Sequence, residues 1–265
     1  MKKIGFIGTG NMGGALARAA SKNSECAIML ANRHPEKAAA LAESIGGTVC
    51  TNAEAAAEAD YLFLGVKPQM IAGMLDGIKE TLAARKAGFT LVTMAAGTPI
   101  ARINELLGAE YPVIRIMPNT PAAIGEGMIL YCCNGLVSPE CEAEFVSLMA
   151  NAGRFSKLDE HLIDAGSGVS GCGPAFVALF IEAMADGGVA CGLPRKQALE
   201  FAAQTVAGTA KLMLESGQHP GQLKDAVCSP GGTTIQGVRV LEENGLRGAV
   251  MDAVIAAVEK NRDLH

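Results

Sequence analysis

Ile4-Gly5-Phe6-Ile7-Gly8-Thr9-Gly10-Asn11-Met12-Gly13-Gly14-Ala15-Leu16 is the stretch whose reading decides the fold. An apolar run ends in Gly8-x-Gly10-x-x-Gly13, and an alanine-rich pattern at helical spacing follows. Strand, tight turn and helix form the setting in which this glycine fingerprint binds a dinucleotide. Gly8 permits the turn, Gly10 lets backbone approach a pyrophosphate, and Gly13 lets the helix pack closely on the strand. Free N–H groups at the helix start, with the helix macrodipole behind them, favour the negative charge.

Moving outward, Cys26–Ala31 reads as a second strand ending at Asn32-Arg33. NAD-type sites place an acid about twenty residues past the fingerprint, where it accepts from the ribose 2′-hydroxyl. Here the acid is missing and an arginine follows. Arg33 is suited to pair bidentately with a 2′-phosphate that an acid would repel, which favours NADP(H) over NAD(H). The alternative for Arg33 is an ordinary solvated surface residue. Pro35 opens a helix that Gly46-Gly47 ends, Thr48–Cys50 is a short strand, and Asn52 is the expected N-cap of an alanine helix, near the adenosine end of the cofactor.

Tyr61–Val66 reads as a buried parallel strand ending at Lys67-Pro68. Ligands of open α/β sheets bind outside the carboxyl ends of the strands, so Gly65, Val66, Lys67 and Pro68 are expected to line the cofactor cleft. Leu91–Met94 repeats the arrangement and ends in Ala95-Ala96-Gly97, small residues that leave room for a nicotinamide ring. Thr98-Pro99 is expected to cap and start the next helix. Val113–Met117 is a sixth strand, followed by the rigid loop Pro118-Asn119-Thr120-Pro121. Strand-like Gly127–Cys132 and Gly153–Lys157 flank a helix from Pro139 to about Asn151.

Past Leu158 strand patterns give way to long helices, one from Gly173-Pro174 to about Val189 and another after Pro194 that carries Leu199, Ala202, Ala203, Val206 and Ala210. The first is apolar nearly all round, more than a small domain covers by itself. A second subunit is the expected cover, with a self-contained bundle as the alternative. The fold class is therefore α/β: an N-terminal Rossmann-type doubly wound sheet over 1–157, then an all-helical C-terminal dimerisation domain over 158–265. Further on, Ser229-Pro230-Gly231-Gly232-Thr233-Thr234 joins two helices. It reads equally as a carboxylate site at a helix N-terminus and as a helix–helix turn with Thr as N-cap.

Composition narrows the classes of function. The chain has 265 residues, net charge −5, no Trp and 4% aromatics, with no basic tract. That argues against nucleic acid and anionic membrane as partners. No stretch reads as a membrane span or signal peptide, so a cytoplasmic protein is expected. Eight cysteines lie scattered without a CxxC pair, the pattern of free thiols in a reducing compartment. No metal site is expected.

Taken together, these motifs closely resemble the pyrroline-5-carboxylate reductase family over nearly the whole chain. The resemblance rests on Gly8 through Gly13, Gly65-Val66-Lys67-Pro68, Ala95-Ala96-Gly97, Met117 through Pro121, Gly168-Val169-Ser170-Gly171-Cys172-Gly173-Pro174-Ala175, and His219 through Thr234. It implies reduction of 1-pyrroline-5-carboxylate to L-proline, the final step of proline biosynthesis, by NADPH, with NADH as the other possible donor. It also implies an intertwined homodimer with active sites built by two chains, and in many members a decamer of five dimers. Cofactor contacts carry over to Ile7, Gly8, Thr9, Gly10, Asn11, Met12, Asn32, Arg33, Asn52, Gly65, Val66, Lys67, Pro68, Ala95, Ala96 and Gly97. The backbone of Ser229, Gly232 and Thr233 would take the substrate carboxylate. The Thr234 hydroxyl would meet the ring nitrogen as the catalytic candidate, orienting the ring or relaying a proton from water. His219, before a proline, reads as a helix start and not as an acid.

Cys172 stands where the family usually has serine, Cys228 where Ser or Thr is usual, and Gly65 where Ala is common. A thiol is the weaker hydrogen-bonding group. Competing readings are a reductase of another imine or of a β-hydroxy acid, and a dinucleotide-binding regulator without turnover. The hydroxy-acid enzymes use a lysine in their helical domain, and none stands near Ser170–Ala175.

Overall fold

The structure is a computed structural model and describes residues 1–262. It divides into two compact units, one of residues 1–172 with the end of the chain from 257, the other of residues 173–256. The first unit is built on a single sheet of strands β1 (Lys2–Ile7), β2 (Cys26–Ala31), β3 (Thr48–Val49), β4 (Tyr61–Leu64), β5 (Thr90–Thr93), β6 (Val113–Met117), β7 (Gly127–Cys133) and β8 (Gly153–Lys157). Their order is β3-β2-β1-β4-β5-β6-β7-β8. The strands from β3 across to β6 run parallel, β7 is antiparallel to β6, and β8 follows β7. The winding reverses between β1 and β4, and such a switch point opens a crevice at the carboxyl ends of its two strands.

Sequence explains the layers. Tyr61–Leu64 is buried at every position, as a parallel strand covered on both faces must be. On one face Phe6 stacks on Phe63 with ring centroids 4.4 Å apart, beneath α1 (Asn11–Ser21), α2 (Pro35–Ile45) and α7 (Pro139–Leu148). On the other face Leu62 and Leu64 pack under α3 (Asn52–Glu58), α4 (Ile71–Asp76), α5 (Lys79–Ala83), α6 (Ile100–Leu107) and α8 (Ile163–Ser170).

Several expected boundaries shift. The N-cap of α3 is Thr51 and not Asn52: the Thr51 hydroxyl accepts from the Glu54 N–H, and the Glu54 carboxylate accepts from the Thr51 N–H, a reciprocal capping box that Asn52, as the first helical residue, cannot make. The Thr51 N–H, together with the Thr51 hydroxyl, which donates to the same carboxylate oxygen at 2.9 Å, holds the Glu54 carboxyl below its ordinary range. Nor does Thr98 cap α6. Its hydroxyl donates to the Ala96 carbonyl, and the first N–H of the helix, on Ile100, is taken by the Glu160 carboxylate 2.7 Å away. The compact units divide beyond the 157/158 boundary drawn from sequence, because Ile163 on α8 is buried in the core of the first unit.

The second unit is helical: α9 (Gly173–Ala190), α10 (Arg195–Ser216), α11 (Pro220–Ala226), α12 (Thr233–Glu243) and most of α13 (Leu246–Arg262). Its internal core is three small residues, Ala185, Ala198 and Ala202. Leu199, expected on the same face as Ala202, is exposed, as are Leu179, Phe180, Phe201 and Leu214. Contrary to the sequence reading, the run Glu160–Ala190 is long and apolar enough to cross a membrane, with 11% of its most apolar window buried. Its glycines and serines, and the break between α8 and α9, mask that length in the sequence.

Candidate cofactor and substrate sites

The three fingerprint glycines have three separate physical reasons. Gly8 has φ +103°, and a Cβ built there lies 2.5 Å from the Gly65 carbonyl oxygen. Gly13 brings α1 so close to β1 that a Cβ would sit 2.2 Å from the Gly8 oxygen. At Gly10 a Cβ meets nothing within 4 Å, because it projects into the open crevice. Gly10 is also the N-cap of α1 and gives no side-chain bond, which leaves the first N–H groups of the helix for an anion. A Cβ at Gly65 would in turn lie 2.5 Å from the Gly8 oxygen. The loops after β1 and β4 therefore meet backbone to backbone at the switch point.

That crevice is a cleft of about 700 Å³ lined in part by Ile7, Gly8, Gly10, Asn32, Arg33, Asn52, Gly65, Val66 and Lys67, all predicted from sequence. Thr9 is buried beside it and accepts from Asn32 Nδ2 at 2.6 Å, which fixes the Asn32 amide at the end of β2. Asn11 and Met12 begin α1, and Pro68 starts a 3-10 turn after β4. Ala95, Ala96 and Gly97 lie outside the lining of this cleft, in the loop after β5, with Gly97 at φ +68°.

Sequence reasoning missed His34, Lys37, Gln69, Met70, Gly73 and Met74 in the lining. Lys37 had a signal. It sits in the first turn of α2, where the macrodipole disfavours a cation, and broken local rules cluster at functional sites. Arg33, His34, Lys37 and Lys67 give the cleft four basic side chains, and none of its lining residues is a carboxylate. In a chain of net charge −5 this marks a site for a polyanion. Space at Gly10, an uncapped helix start and a basic lining without carboxylates all fit a phosphorylated dinucleotide.

In the second unit the Ser229–Thr234 loop departs from the helix–helix turn reading in its cap. The N-cap of α12 is Gly232, not a threonine, and it makes no side-chain bond. Gly231 has φ +69°, and the Gly232 N–H donates to the Ser229 carbonyl at 3.0 Å. Thr233 and Thr234 are the first two helical residues, exposed and free of capping duty. His219 is occupied elsewhere: it caps α11, with Nδ1 accepting from the Gly221 N–H at 3.1 Å.

Asn119, in the rigid loop after β6, accepts from the Met128 N–H at 2.8 Å and donates to the Ser170 carbonyl at 2.9 Å. It thereby ties the end of α8 to the loop at the end of β6. Burial pushes the Cys132 and Cys133 thiols up to about 11 and about 12, so they stay protonated and inert at neutral pH. Among the described residues no group of His, Cys, Asp and Glu could hold a metal ion.

Comparison with known proteins extends this geometry. Residues 160–264 match the family model for pyrroline-5-carboxylate reductase dimerisation, and residues 3–97 match the model described as NADP oxidoreductase, coenzyme F420-dependent. The chain is similar to the pyrroline-5-carboxylate reductase of Escherichia coli K12, with 43% identity over 267 residues covering 99% of this chain and 98% of that one. It is also similar to the crystal structure of Plasmodium falciparum pyrroline carboxylate reductase with NADP bound, with a TM-score of 0.87, 32% identity and coverage of 99% and 98%. The Coxiella burnetii pyrroline-5-carboxylate reductase structure superposes with a TM-score of 0.90 at 31% identity, covering 98% of this chain and 97% of that one.

Proposed function

The chain belongs to the pyrroline-5-carboxylate reductase family and is an NAD(P)-dependent oxidoreductase that reduces 1-pyrroline-5-carboxylate to proline; from that premise we propose how its own residues divide the work. The observation that carries the proposal is the acid-free basic cleft at the β1/β4 switch point, with Gly10 open into it. The start of α1 receives the pyrophosphate. Asn52 faces the adenosine, Arg33 and Lys37 receive the 2′-phosphate, and Ala95–Gly97 form the wall beside the nicotinamide. NADPH, when bound, supplies the hydride. The uncapped N–H groups of α12 bind the substrate carboxylate, and the Thr234 hydroxyl meets the ring nitrogen, orienting the ring or relaying a proton to it. Catalysis on this view is mostly positioning.

The reaction is tested by following NADPH absorbance with 1-pyrroline-5-carboxylate and identifying proline as product. Arg33→Ala should raise KM for NADPH about 10- to 100-fold, the size of one lost charge-assisted hydrogen bond, with far less change for NADH. Equal changes would remove Arg33 from 2′-phosphate recognition. Thr234→Ala should lower kcat/KM about 10- to 100-fold, corresponding to about 1–3 kcal/mol. Turnover at the parent rate would remove Thr234 from the mechanism.

The dimerisation match supports self-association. Five dimers joined as a decamer in the cytoplasm are the proposed assembly and location. Free cysteines support the location, since all eight are unpaired. The apolar surface of α9 is assigned to the partner subunit and not to a membrane. Support comes from the dimerisation match, which spans it, and from Glu182 and Asp186 on the same helix.

A further inference from the structure

We propose that Arg115 is the positioning residue for the nicotinamide wall: a single buried guanidinium that holds the Ile100 end of the Met94–Pro99 loop through Glu160 and the start of α8 through Asp164. The inference rests on the reading above that Ala95–Gly97 line the cofactor. Arg115 is the one charged side chain buried among the described residues, at 2% exposure. It lies on β6 directly opposite Thr93, the last residue of β5, from which the loop departs. Its Nη1 meets Glu160 Oε1 at 3.3 Å and its Nη2 meets Asp164 Oδ1 at 3.3 Å. The same Glu160 Oε1 accepts from the N–H of Ile100, where the loop ends and α6 begins. One end of the loop is thus fixed beside Arg115 by the β ladder, and the other is tied to it through one carboxylate oxygen.

The third attachment is what gives the arrangement a bearing on the reaction. Asp164 lies in the first turn of α8, and the last residue of that helix, Ser170, is held by Asn119. Helix α8, which carries Gly168 to Ser170, is therefore anchored at one end by β6 and at the other by the loop that follows it. A buried charge is costly unless its partners are fixed, and Nε has no partner among the described residues, so the two Nη contacts carry the attachment. Lysine could not replace it, because one ammonium cannot present two parallel donors to two carboxylates.

Glu160→Gln is the decisive variant. The Glu160 side chain is one-third exposed, Asp164 still faces the guanidinium, and glutamine keeps an acceptor for Ile100 while losing the charge. Amide exchange of the full-length protein would be measured with and without NADPH, beside NADPH affinity and steady-state kinetics well below Tm. In the cofactor-free variant, amides of residues 94–98 and of Ile100 should exchange about tenfold faster, with those of β2 unchanged. The NADPH Kd should rise about 5- to 10-fold, and the isotope effect with 4-deuterated NADPH should grow as hydride transfer becomes limiting. Arg115→Lys should fall in the same direction. Parent-like exchange, Kd and isotope effect in both variants, with a lowered Tm alone, would overturn the proposal and leave Arg115 a structural residue. NADPH protection of 94–99 in the parent tests the underlying reading separately. Its absence would sink that reading and the proposal with it, whereas protection with no effect of Glu160→Gln sinks the proposal alone.

Discussion

Gly10→Val should fold and melt like the parent and fail to hold NADPH. At Gly10 φ is −70° and ψ −168°, a region open to any residue. A Cβ there touches no protein atom within 4 Å. The folded chain therefore has room for a Cβ there, and the backbone needs no adjustment. The only loss is a preferred N-cap residue, about 1 kcal/mol or less, and Tm should move by no more than a few degrees. The branched side chain, however, fills the space over the start of α1 where the pyrophosphate must approach. Loss of that approach should cost at least 100-fold in NADPH affinity, about 3 kcal/mol. Calorimetric titration beside a melting curve reads both numbers. A valine variant that binds NADPH normally would show that the pyrophosphate does not sit on α1.

The opposite signature is expected at Gly8, two residues earlier. Gly8→Ala places a Cβ on a backbone with φ +103° and 2.5 Å from the Gly65 carbonyl oxygen. Strain of about 1–3 kcal/mol adds to an overpacking penalty of similar size. The clash is with backbone, so no side-chain rotation relieves it. Against a total stability on the order of 10 kcal/mol, Tm should fall by roughly 10 °C and soluble yield should drop with it. Cofactor affinity falls too, because relief requires the loops after β1 and β4 to part. If Gly8→Ala melted like the parent, the backbone contact between those loops would be wrong. The two variants separate one motif into a glycine required by the ligand and a glycine required by the chain.

Much of this was legible from residue order. Buried parallel strands write themselves as apolar runs, so Cys26–Ala31 reads to the residue, and so does Val113–Met117 despite the arginine at its centre. The glycine fingerprint located the cleft because its spacing encodes backbone geometry. Caps were harder. Thr51 and Asn52 are both good cap residues, and the reciprocal bonds with Glu54 decide between them only in three dimensions. The N-terminus of α6 could not have been read at all, since its acceptor, Glu160, lies 60 residues further on. Arg115 went unnoticed for the same reason: a lone arginine inside an apolar strand announces burial, but its partners come from distant turns. In the Ser229–Thr234 loop, sequence alone left turn and anion site balanced, and the absence of a side-chain cap on α12 favours the second.

The helices of the second unit leave Leu179, Phe180, Phe201 and Leu214 uncovered by their own chain, over a core of three alanines. Self-association then enters the stability of this unit through mass action. Its melting temperature is not a constant of the sequence but rises with protein concentration. Dilution acts as a denaturant aimed at this unit, while the first unit, with aromatic and aliphatic cores on both faces of its sheet, stands on its own contacts. A cell making too few subunits would hold a cofactor-binding sheet attached to helices without a stable fold.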